Sequence, residues 1–326
     1  MNFQINPFHY TKLDLSKIST VKTFFDIDLI LALHKKQYPE HDFVIIESCL
    51  LKYLSPELIN NTSIQNNSGQ LDIKFDSNPI KPVYIINIFS HNQKLNFQFS
   101  ADFNQSVVYE NIVGEEGQNH ISIRNSGNLN FYSMTTSHIE GIFHENLFIE
   151  NASNFSAFFM QNEHQYLHKL DVKIILEYNA KSNINILNSL KNKQIKDDCF
   201  EIIQRGTNSK SSISYLSLNN GKAVSQINNI VEKYALDCEL EQHIKHILVS
   251  EKAQSYSKPS LMIHAPTVAS HGNTISSFPE EWLFYLYQKG INPHNSQKII
   301  EHSMINEFCV QTPFESLFNA YFRKEN

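Results

Sequence analysis

The segment Ser212-Ile213-Ser214-Tyr215-Leu216-Ser217-Leu218 is followed at once by Asn219-Asn220-Gly221. Polar and apolar side chains alternate along the first segment, and this is the period of a strand that is buried on one face. The Asn-Asn-Gly segment is typical of a tight turn, because these residues tolerate the backbone angles that turns require. Residues 212–221 therefore predict one strand and the turn that ends it.

The same alternation recurs through the centre of the chain, at 94–99, 128–131, 183–186 and 261–263. Short strands separated by turn residues from about 76 to 275 favour an all-β sandwich, a barrel or a stacked solenoid. The strands are too many for one small barrel. No strict repeat is visible, so the periodicity alone does not single out a solenoid.

The region 1–75 is predicted to be helical or mixed. A helix is expected to begin at Ser19 or Thr20 and to end at Tyr38, because the residue before Pro39 is pushed out of the helical region. The Asn- and Ser-rich stretch 60–69 is interpreted as a loop.

The region 276–326 is predicted to be helical. Ser277-Phe278-Pro279-Glu280 matches a capping box, and the helix that it opens should end at Gly290. Asn292-Pro293 should begin a second helix that continues through Phe308, and 312–315 matches another capping box that opens a third. These helices would close the β region of 76–275.

The composition excludes several classes of protein. The 326 residues carry 27 basic and 33 acidic side chains, a formal charge of −6, with no dense Lys/Arg cluster of the kind that nucleic-acid binders show. The apolar runs are far shorter than the ~20 residues that span a bilayer, and no signal sequence is recognisable. We therefore expect a soluble, cytoplasmic protein that binds neither nucleic acid nor membrane.

No constellation for enzymatic chemistry stands out. The pair Gly221-Lys222 lacks the preceding glycine of a phosphate-binding loop, and the four cysteines form no CxxC pair, so reduced thiols are expected. His243 and His246 have a spacing that helical metal sites use, but without a third ligand they are interpreted as surface histidines. Asp197-Asp198 is interpreted as a solvated turn.

One segment near the C-terminus resembles a known family. The order Pro259-Ser260-Leu261-Met262-Ile263, then Ser270-His271-Gly272, then Leu283-Phe284-Tyr285-Leu286 and Gly290-Ile291 is similar to the C-terminal signature of the SufB/SufD family of iron–sulfur cluster assembly proteins. The Ser-His-Gly turn resembles SufD more than SufB. The chain departs from the pattern at Ala269, where many SufD members carry Cys, and at Lys289, where Arg is usual.

The resemblance implies a fold and a set of partners. It implies a right-handed parallel β-helix core flanked by N-terminal and C-terminal helical parts. It further implies a non-enzymatic subunit that pairs with SufB as a heterodimer, docks the SufC ATPase, and can form a homodimer when alone. No tightly bound cofactor is expected in the isolated chain, only a transient iron–sulfur cluster shared with SufB.

The resemblance also implies site residues. His271 is the expected iron ligand, with the remaining ligands supplied by SufB across the interface. The expected SufC-binding residues are Trp282, Phe284, Tyr285, Leu286, Lys289 and Gly290. Two alternatives stay open from the residues alone: a β-helix carbohydrate-active enzyme, and a purely structural β-solenoid.

Overall fold

The structure is a computed structural model that describes residues 43–46, 49–53, 62–67, 70–79, 82–89, 92–113, 116–137, 141–162, 167–191 and 193–310. These residues form a long series of strands followed by two helices. The strands are β1 Phe43–Ile46, β2 Cys49–Tyr53, β3 Thr62–Asn67, β4 Gln70–Phe75, β5 Val83–Phe89, β6 Gln93–Phe99, β7 Asn104–Val113, β8 Gly117–Asn125, β9 Asn128–Ser137, β10 Ile142–Asn151, β11 Asn154–Asn162, β12 Leu167–Leu176, β13 Lys181–Leu190, β14 Ile195–Gln204, β15 Lys210–Asn219, β16 Lys222–Val231, β17 Cys238–Leu248, β18 Gln254–Ile263 and β19 Thr267–Ser277. The helices are α1 Glu280–Gln288 and α2 Pro293–Val310.

The strands build a parallel β-solenoid of about seven turns. Odd-numbered strands from β5 to β19 stack in one sheet, sheet A, and even-numbered strands from β4 to β18 stack in the other, sheet B. Each turn of the chain therefore adds one strand to each sheet. Equivalent positions of successive turns lie side by side, as Asn128 lies beside Asn154 and Lys181 beside Lys210. The expected parallel β-helix core is thus confirmed.

Alternation places one face of every strand inside the solenoid. In β6 the residues Leu95, Phe97 and Phe99 are buried, while Lys94 and Gln98 are exposed. Equivalent apolar side chains stack from turn to turn, and the rings of Phe75 and Phe99 are parallel with centroids 4.9 Å apart. Such a column buries apolar area continuously along the axis, at roughly 25 cal/mol per Å².

The corners of the solenoid are tight. A Cβ added to Gly206 would lie 2.0 Å from the backbone nitrogen of Tyr178 in the preceding turn. Only glycine allows the two backbones to approach so closely. At another corner, Asn125 Nδ2 donates to Asn151 Oδ1 over 2.8 Å, so stacked amides join successive turns.

Helix α2 covers part of the outer face of sheet A. Its buried residues Ile300, Met304 and Ile305 share one hydrophobic cluster with outward-facing side chains of β9 to β17. The ring of Phe308, near the end of α2, lies 6.3 Å from that of Phe158 in β11. The helix therefore runs from the last turn back along the solenoid axis.

Some local predictions succeed and others fail. The end of α1 at Gly290, whose φ is +79°, and the start of α2 at Pro293 are confirmed. The capping box is wrong, because Ser277 ends β19 and no side chain caps α1. The loop at 60–69 is also wrong, since Thr62–Asn67 forms β3.

Several predictions stay untested. The helix before Pro39 and the third C-terminal helix lie outside the described residues. The division of the chain at 75 and 275 remains a prediction, although β1 to β4, which precede residue 76, already belong to the two sheets.

Candidate functional site

The two ends of the solenoid are built differently. At the N-terminal end, β2 pairs antiparallel with β1, and β3 pairs antiparallel with β4, so hairpins terminate both sheets. At the C-terminal end, β18 and β19 are the last strands of their sheets among the described residues. Each leaves a parallel edge whose N–H and C=O groups can pair with another strand. We call this surface, β18 together with β19, the open end.

The open end exposes side chains that are buried one turn earlier. Leu240 of β17 is buried, whereas Ala269, its neighbour in β19, is exposed. The larger exposed apolar side chains of these two strands are Tyr256, Met262, Ile263, Val268 and Ile275. Ile263 and Ile275 lie beside the buried Val231 and His246 of the preceding turn, whereas Val268 lies beside the exposed Glu239 on the outer face. Apolar side chains exposed at inward-facing positions indicate an interaction surface.

His271 lies on the open end. It occupies the position next to Gln242 of β17, which is buried and anchored because its Nε2 donates to the carbonyl of Ile227 and its Oε1 accepts from Asn229. His271 itself is exposed. The imidazole is therefore held on a regular strand, which positions it more accurately than a loop would, and it is accessible to a partner.

His271 has no companion ligands in the part of the chain that the structure describes, where no group of three His, Cys, Asp or Glu could hold a metal ion. The described thiols serve other purposes. Cys238 is buried in a corner, where it donates to backbone carbonyls, and burial raises the pKa of Cys309 to about 12 and that of Cys199 to about 11. An iron–sulfur cluster needs about four ligands, mostly thiolates. Any cluster at His271 would need ligands from another chain.

Helix α1 presents two different faces. Leu283 and Leu286 are partly buried and pack against the hydrophobic cluster under α2. Trp282, Phe284 and Tyr285 are exposed to 46%, 62% and 59%. Of the residues that the resemblance implies for partner binding, three aromatic side chains are thus accessible and Leu286 is largely turned to the body.

The end of α1 is shaped by Lys289 and Gly290. The Lys289 ammonium lies 5.5 Å from the centroid of the Tyr285 ring, in reach of a cation–π interaction. Gly290 adopts a left-handed conformation that turns the chain into α2. Both residues therefore belong to the same surface as the exposed aromatic side chains.

Sequence reasoning missed a cluster of ionisable groups inside the solenoid, which we call the lumen cluster: Glu145, His168, Lys196 and Asp198. All four side chains are at most 2% exposed. The interpretation of Asp197-Asp198 as a solvated turn is wrong, because both lie in β14 and are buried. Strand parity is the signal that could have found Asp198. Lys196, Asp198 and Phe200 follow one another at intervals of two residues, so all three lie on the same, inward face of β14.

The lumen cluster is linked by short contacts. Lys196 Nζ lies 3.1 Å from Asp198 Oδ1 and donates to His168 Nδ1 over 2.7 Å. The other ring nitrogen, His168 Nε2, lies 3.8 Å from Glu145 Oε2. Asp198 Oδ2 also accepts from Tyr215 and Asn188, both over 2.8 Å or less.

Burial dominates the ionisation of these groups. It raises the pKa of Glu145 to about 7 and also raises that of Asp198, against the opposing pull of Lys196. It lowers the pKa of Lys196 and lowers that of His168 well below its usual value. Near neutral pH the interior therefore holds a neutral imidazole that accepts from Lys196, beside a carboxyl group close to its titration point.

The two histidines of 243–246 do not form a helical pair. They lie in β17, where His243 is exposed and His246 is buried inside the solenoid with its Nε2 2.8 Å from Ser225 Oγ. The surface interpretation is therefore wrong for His246. Burial lowers the pKa of this imidazole to about 4.

Comparison with known proteins agrees with this architecture. Residues 92–304 match the family described as "SUF system FeS cluster assembly, SufBD core domain". This range includes the lumen cluster, the open end and most of the helical hairpin. Within the described ranges, neither helix is long and apolar enough to cross a bilayer.

Individual relatives match over short stretches. The iron–sulfur cluster assembly protein SufD of Plasmodium berghei is 29% identical over 96 residues, which cover 29% of this chain and 7% of that protein. An iron–sulfur cluster assembly SufBD family protein of Synechocystis is 33% identical over 78 residues, 24% of this chain and 17% of the relative. SufD of Escherichia coli is 31% identical over 78 residues, 24% of this chain and 18% of the relative. The matched stretches thus span less than a fifth of each relative.

Proposed function

Because the chain belongs to the SufBD family of iron–sulfur cluster assembly proteins, we propose that it is a SufD-like, non-catalytic scaffold subunit. Its open end would pair with a SufB-like subunit, and its helical hairpin would dock a SufC-like ATPase. A location in the cytoplasm, where these partners would be met, remains a prediction.

The asymmetry of the two solenoid ends carries this proposal. Stacked-repeat proteins need a terminal cap to stay soluble, and an uncovered parallel edge is prone to pair with another chain. Among the described residues, short antiparallel strands of 5 and 6 residues (β2 and β3) end the N-terminal side, whereas β18 and β19, with 10 and 11 residues, leave long parallel edges and exposed apolar side chains. A second solenoid placed end to end would continue both sheets. Pro259 in β18 removes one donor from that edge, so side-chain packing must supply part of the affinity.

Co-expression with a SufB-like subunit tests the open end. Ile275→Lys puts a charge at an inward-facing position of β19, beside the buried His246 of β17, and should weaken the heterodimer at least tenfold. Tyr178→Lys is the matched control, because Tyr178 is 63% exposed but lies at a corner several turns away. Equal binding of SufB by both variants would refute the proposed interface. Size-exclusion chromatography of the isolated chain reports whether a second copy occupies the open end instead.

The exposed aromatic side chains of α1 support the docking of an ATPase. Aromatic anchors carry much of the energy of protein interfaces, and truncating one often costs about 2 kcal/mol, a loss of affinity of roughly 30-fold. Trp282 and Tyr285 are spaced by three residues and so lie on one face of α1. Within the described part of the chain this face is exposed, because Leu283 and Leu286 turn an adjacent side of the helix toward the body.

Titration with a SufC-like ATPase tests the hairpin. We expect Tyr285→Ala to raise the dissociation constant by at least tenfold. Tyr178→Ala is the matched control, because it removes a side chain that is exposed to 63% at a corner outside the hairpin, and it should leave the affinity unchanged. An unchanged affinity of the folded Tyr285→Ala variant would place the ATPase elsewhere.

In this proposal His271 contacts the iron–sulfur cluster, which is the cargo of the assembly. Imidazole is a competent iron ligand, but the companion ligands must come from the SufB-like chain. His271→Ala should therefore leave the heterodimer intact and slow cluster formation on the complex. Normal cluster absorbance, formed at the normal rate by the variant complex, would reduce His271 to a surface residue.

A further inference from the structure

Polar side chains line much of one interior corner of the solenoid, where sheet A strands end and sheet B strands begin. We call it the lumen row. In sheet B, β12 carries the buried apolar Leu170 at this register position, between Glu145 and Asp198, and here His168 and Lys196 link the two carboxyl groups instead. The polar register positions in sheet A are Asn87, Asn111, Thr135, Asn188, Ser217 and His246, and those in sheet B are Gln93, Asn119, Glu145, Asp198, Ser225 and Ser257. The lumen cluster lies in its middle. Solenoid interiors are normally filled by apolar columns, so a polar row of this length needs a reason.

The row is linked across the corner and along the axis. Asn87 donates to Gln93 over 2.9 Å and to Asn111 over 2.8 Å at one end. In the middle, Thr135 Oγ1 lies 3.3 Å from Glu145 Oε2. At the other end, Ser225 Oγ lies 2.8 Å from His246 Nε2 and donates to Ser257 over 3.1 Å.

Several buried atoms of the row have no hydrogen-bond partner in the protein. These are Asn111 Nδ2, Asn119 Oδ1, Ser217 Oγ and His246 Nδ1, together with His168 Nε2 of the cluster. Leaving a buried polar atom without a hydrogen bond costs about 1–3 kcal/mol. Folded proteins avoid this cost with buried water molecules, each bound by about three polar groups. Unpaired atoms spread over successive turns therefore indicate several waters along the row, in addition to protein–protein bonds.

The row reaches solvent at the open end. Ser257 is only partly buried and lies in β18, the edge strand. Strands are about 4.8 Å apart, so the four steps from β10 to β18 place Glu145 roughly 19 Å from this exit. Asp198 is two steps from it and lies directly beside Ser225.

We propose that the lumen row holds an ordered file of water molecules through which protons pass between the open end and the lumen cluster. A proton that enters beside Ser257 moves over hydroxyl groups and waters to Asp198, passes Leu170 by way of Lys196 and His168, and ends on the Glu145 carboxylate, which raises the charge of the cluster by one. The groups that face Glu145 are Tyr109, Asn119, Thr135, His168 and Lys196, from β7, β8, β9, β12 and β14. Lys196 is the cation that stabilises the carboxylate when the proton leaves. This inference concerns the isolated chain and does not depend on the partners proposed above.

Infrared spectroscopy of the purified protein tests the proposal. At pH 6 the protonated Glu145 should give a carboxylic acid band that is absent from Glu145→Gln. On transfer into D2O this band should shift within seconds, because deuterons reach the carboxyl through the water file. If it shifts only as slowly as the most protected core amides exchange, the interior is dry and the proposal is wrong. Glu110→Gln identifies the band of Glu110, a further buried carboxyl whose pKa is raised to about 7 and which lies outside the row, and Asp198→Asn identifies that of Asp198.

A variant that interrupts the proposed proton path gives a second, independent measurement. Ser225→Val removes the hydroxyl group between Asp198 and Ser257 and should slow deuteration of Glu145 at least tenfold. Ser212→Val is the matched control on the outer face of sheet A and should change nothing. Equal rates in both variants would exclude a path through Ser225. If Ser225→Val fails to fold, a high-resolution crystal structure decides, because the file requires ordered water at His246 Nδ1 and His168 Nε2.

Discussion

The buried pair Lys196–Asp198 allows a quantitative test of the solenoid interior. Lys196 is 1% exposed and Asp198 is 0% exposed, with 3.1 Å between Nζ and Oδ1. Lys196→Met keeps the length of the side chain and removes its charge, which leaves a carboxylate in the interior without a counter-ion. Removing one partner of a buried pair typically costs 3–5 kcal/mol. Because Tyr215 and Asn188 still donate to Asp198, we expect about 3 kcal/mol.

Urea denaturation followed by far-ultraviolet circular dichroism measures this cost. The set comprises wild type, Lys196→Met, Asp198→Asn and the double variant. Asn keeps the shape of Asp but carries no charge, so the double variant has no unpaired ion and should be more stable than the sum of the single effects predicts. We expect a coupling free energy of at least about 2 kcal/mol, well above the ~0.5 kcal/mol scatter of independent sites, with an unchanged denaturant slope.

The pH dependence of the stability of Lys196→Met tests whether an uncompensated charge on Asp198 causes the loss. Burial already raises the pKa of Asp198, and Lys196 opposes this rise. Without Lys196 the pKa rises further, so protonation neutralises Asp198 as the pH falls and the variant recovers stability relative to wild type. Additive single effects together with a pH-independent difference would refute the argument that an uncompensated charge causes the loss.

Three further outcomes are expected. Burial raises the pKa of Glu145 to about 7, so the protonated carboxyl group favours folding. This contribution to the free energy of unfolding is complete below about pH 4.5 and is lost as the pH rises through 7. In urea titrations, the free energy of unfolding of Glu145→Gln should therefore rise by on the order of 3 kcal/mol relative to that of wild type between pH 5 and pH 8. Gly206→Ala should lower the thermal midpoint markedly, because its Cβ would overlap the backbone of Tyr178; a midpoint equal to wild type would show that the corner can widen. Phe308→Ala removes the ring that packs 6.3 Å from Phe158 and should increase proteolysis of α2 while the far-ultraviolet strand signal persists.

Local patterns were sufficient for several strands and for the break between the two helices. Alternation in 94–99 and 212–218 predicts strands because the side chains of a strand point to opposite faces, whatever the neighbouring strand is. Gly290 and Pro293 mark the break between α1 and α2 because their backbone preferences are intrinsic. The predicted capping box was wrong because Ser277 pairs with Leu248 of β17 as the last residue of β19, and this strand pairing outweighs a local helix cap.

The stacking of turns required more than alternation. A sandwich, a barrel and a solenoid all use half-buried strands, so the periodicity left them open, and only the family resemblance implied the solenoid. The register that places Asn128 beside Asn154 is set by the lengths of the corners and by close approaches such as that of Gly206 to Tyr178. Both features depend on residues that are distant in sequence.

Local sequence patterns suffice to show that the middle of this chain is strand-rich, that its C-terminal part is helical and that it has no nucleotide-binding loop motif. That Lys196 and Asp198 meet Glu145 and His168 follows from the stacking of turns, because strand parity can place a residue on the inner face but does not identify its neighbours from other strands. The open end is likewise a tertiary property. His271 and Ala269 stand on a strand like any other, and they are exposed because no further turn covers β19 in the described chain.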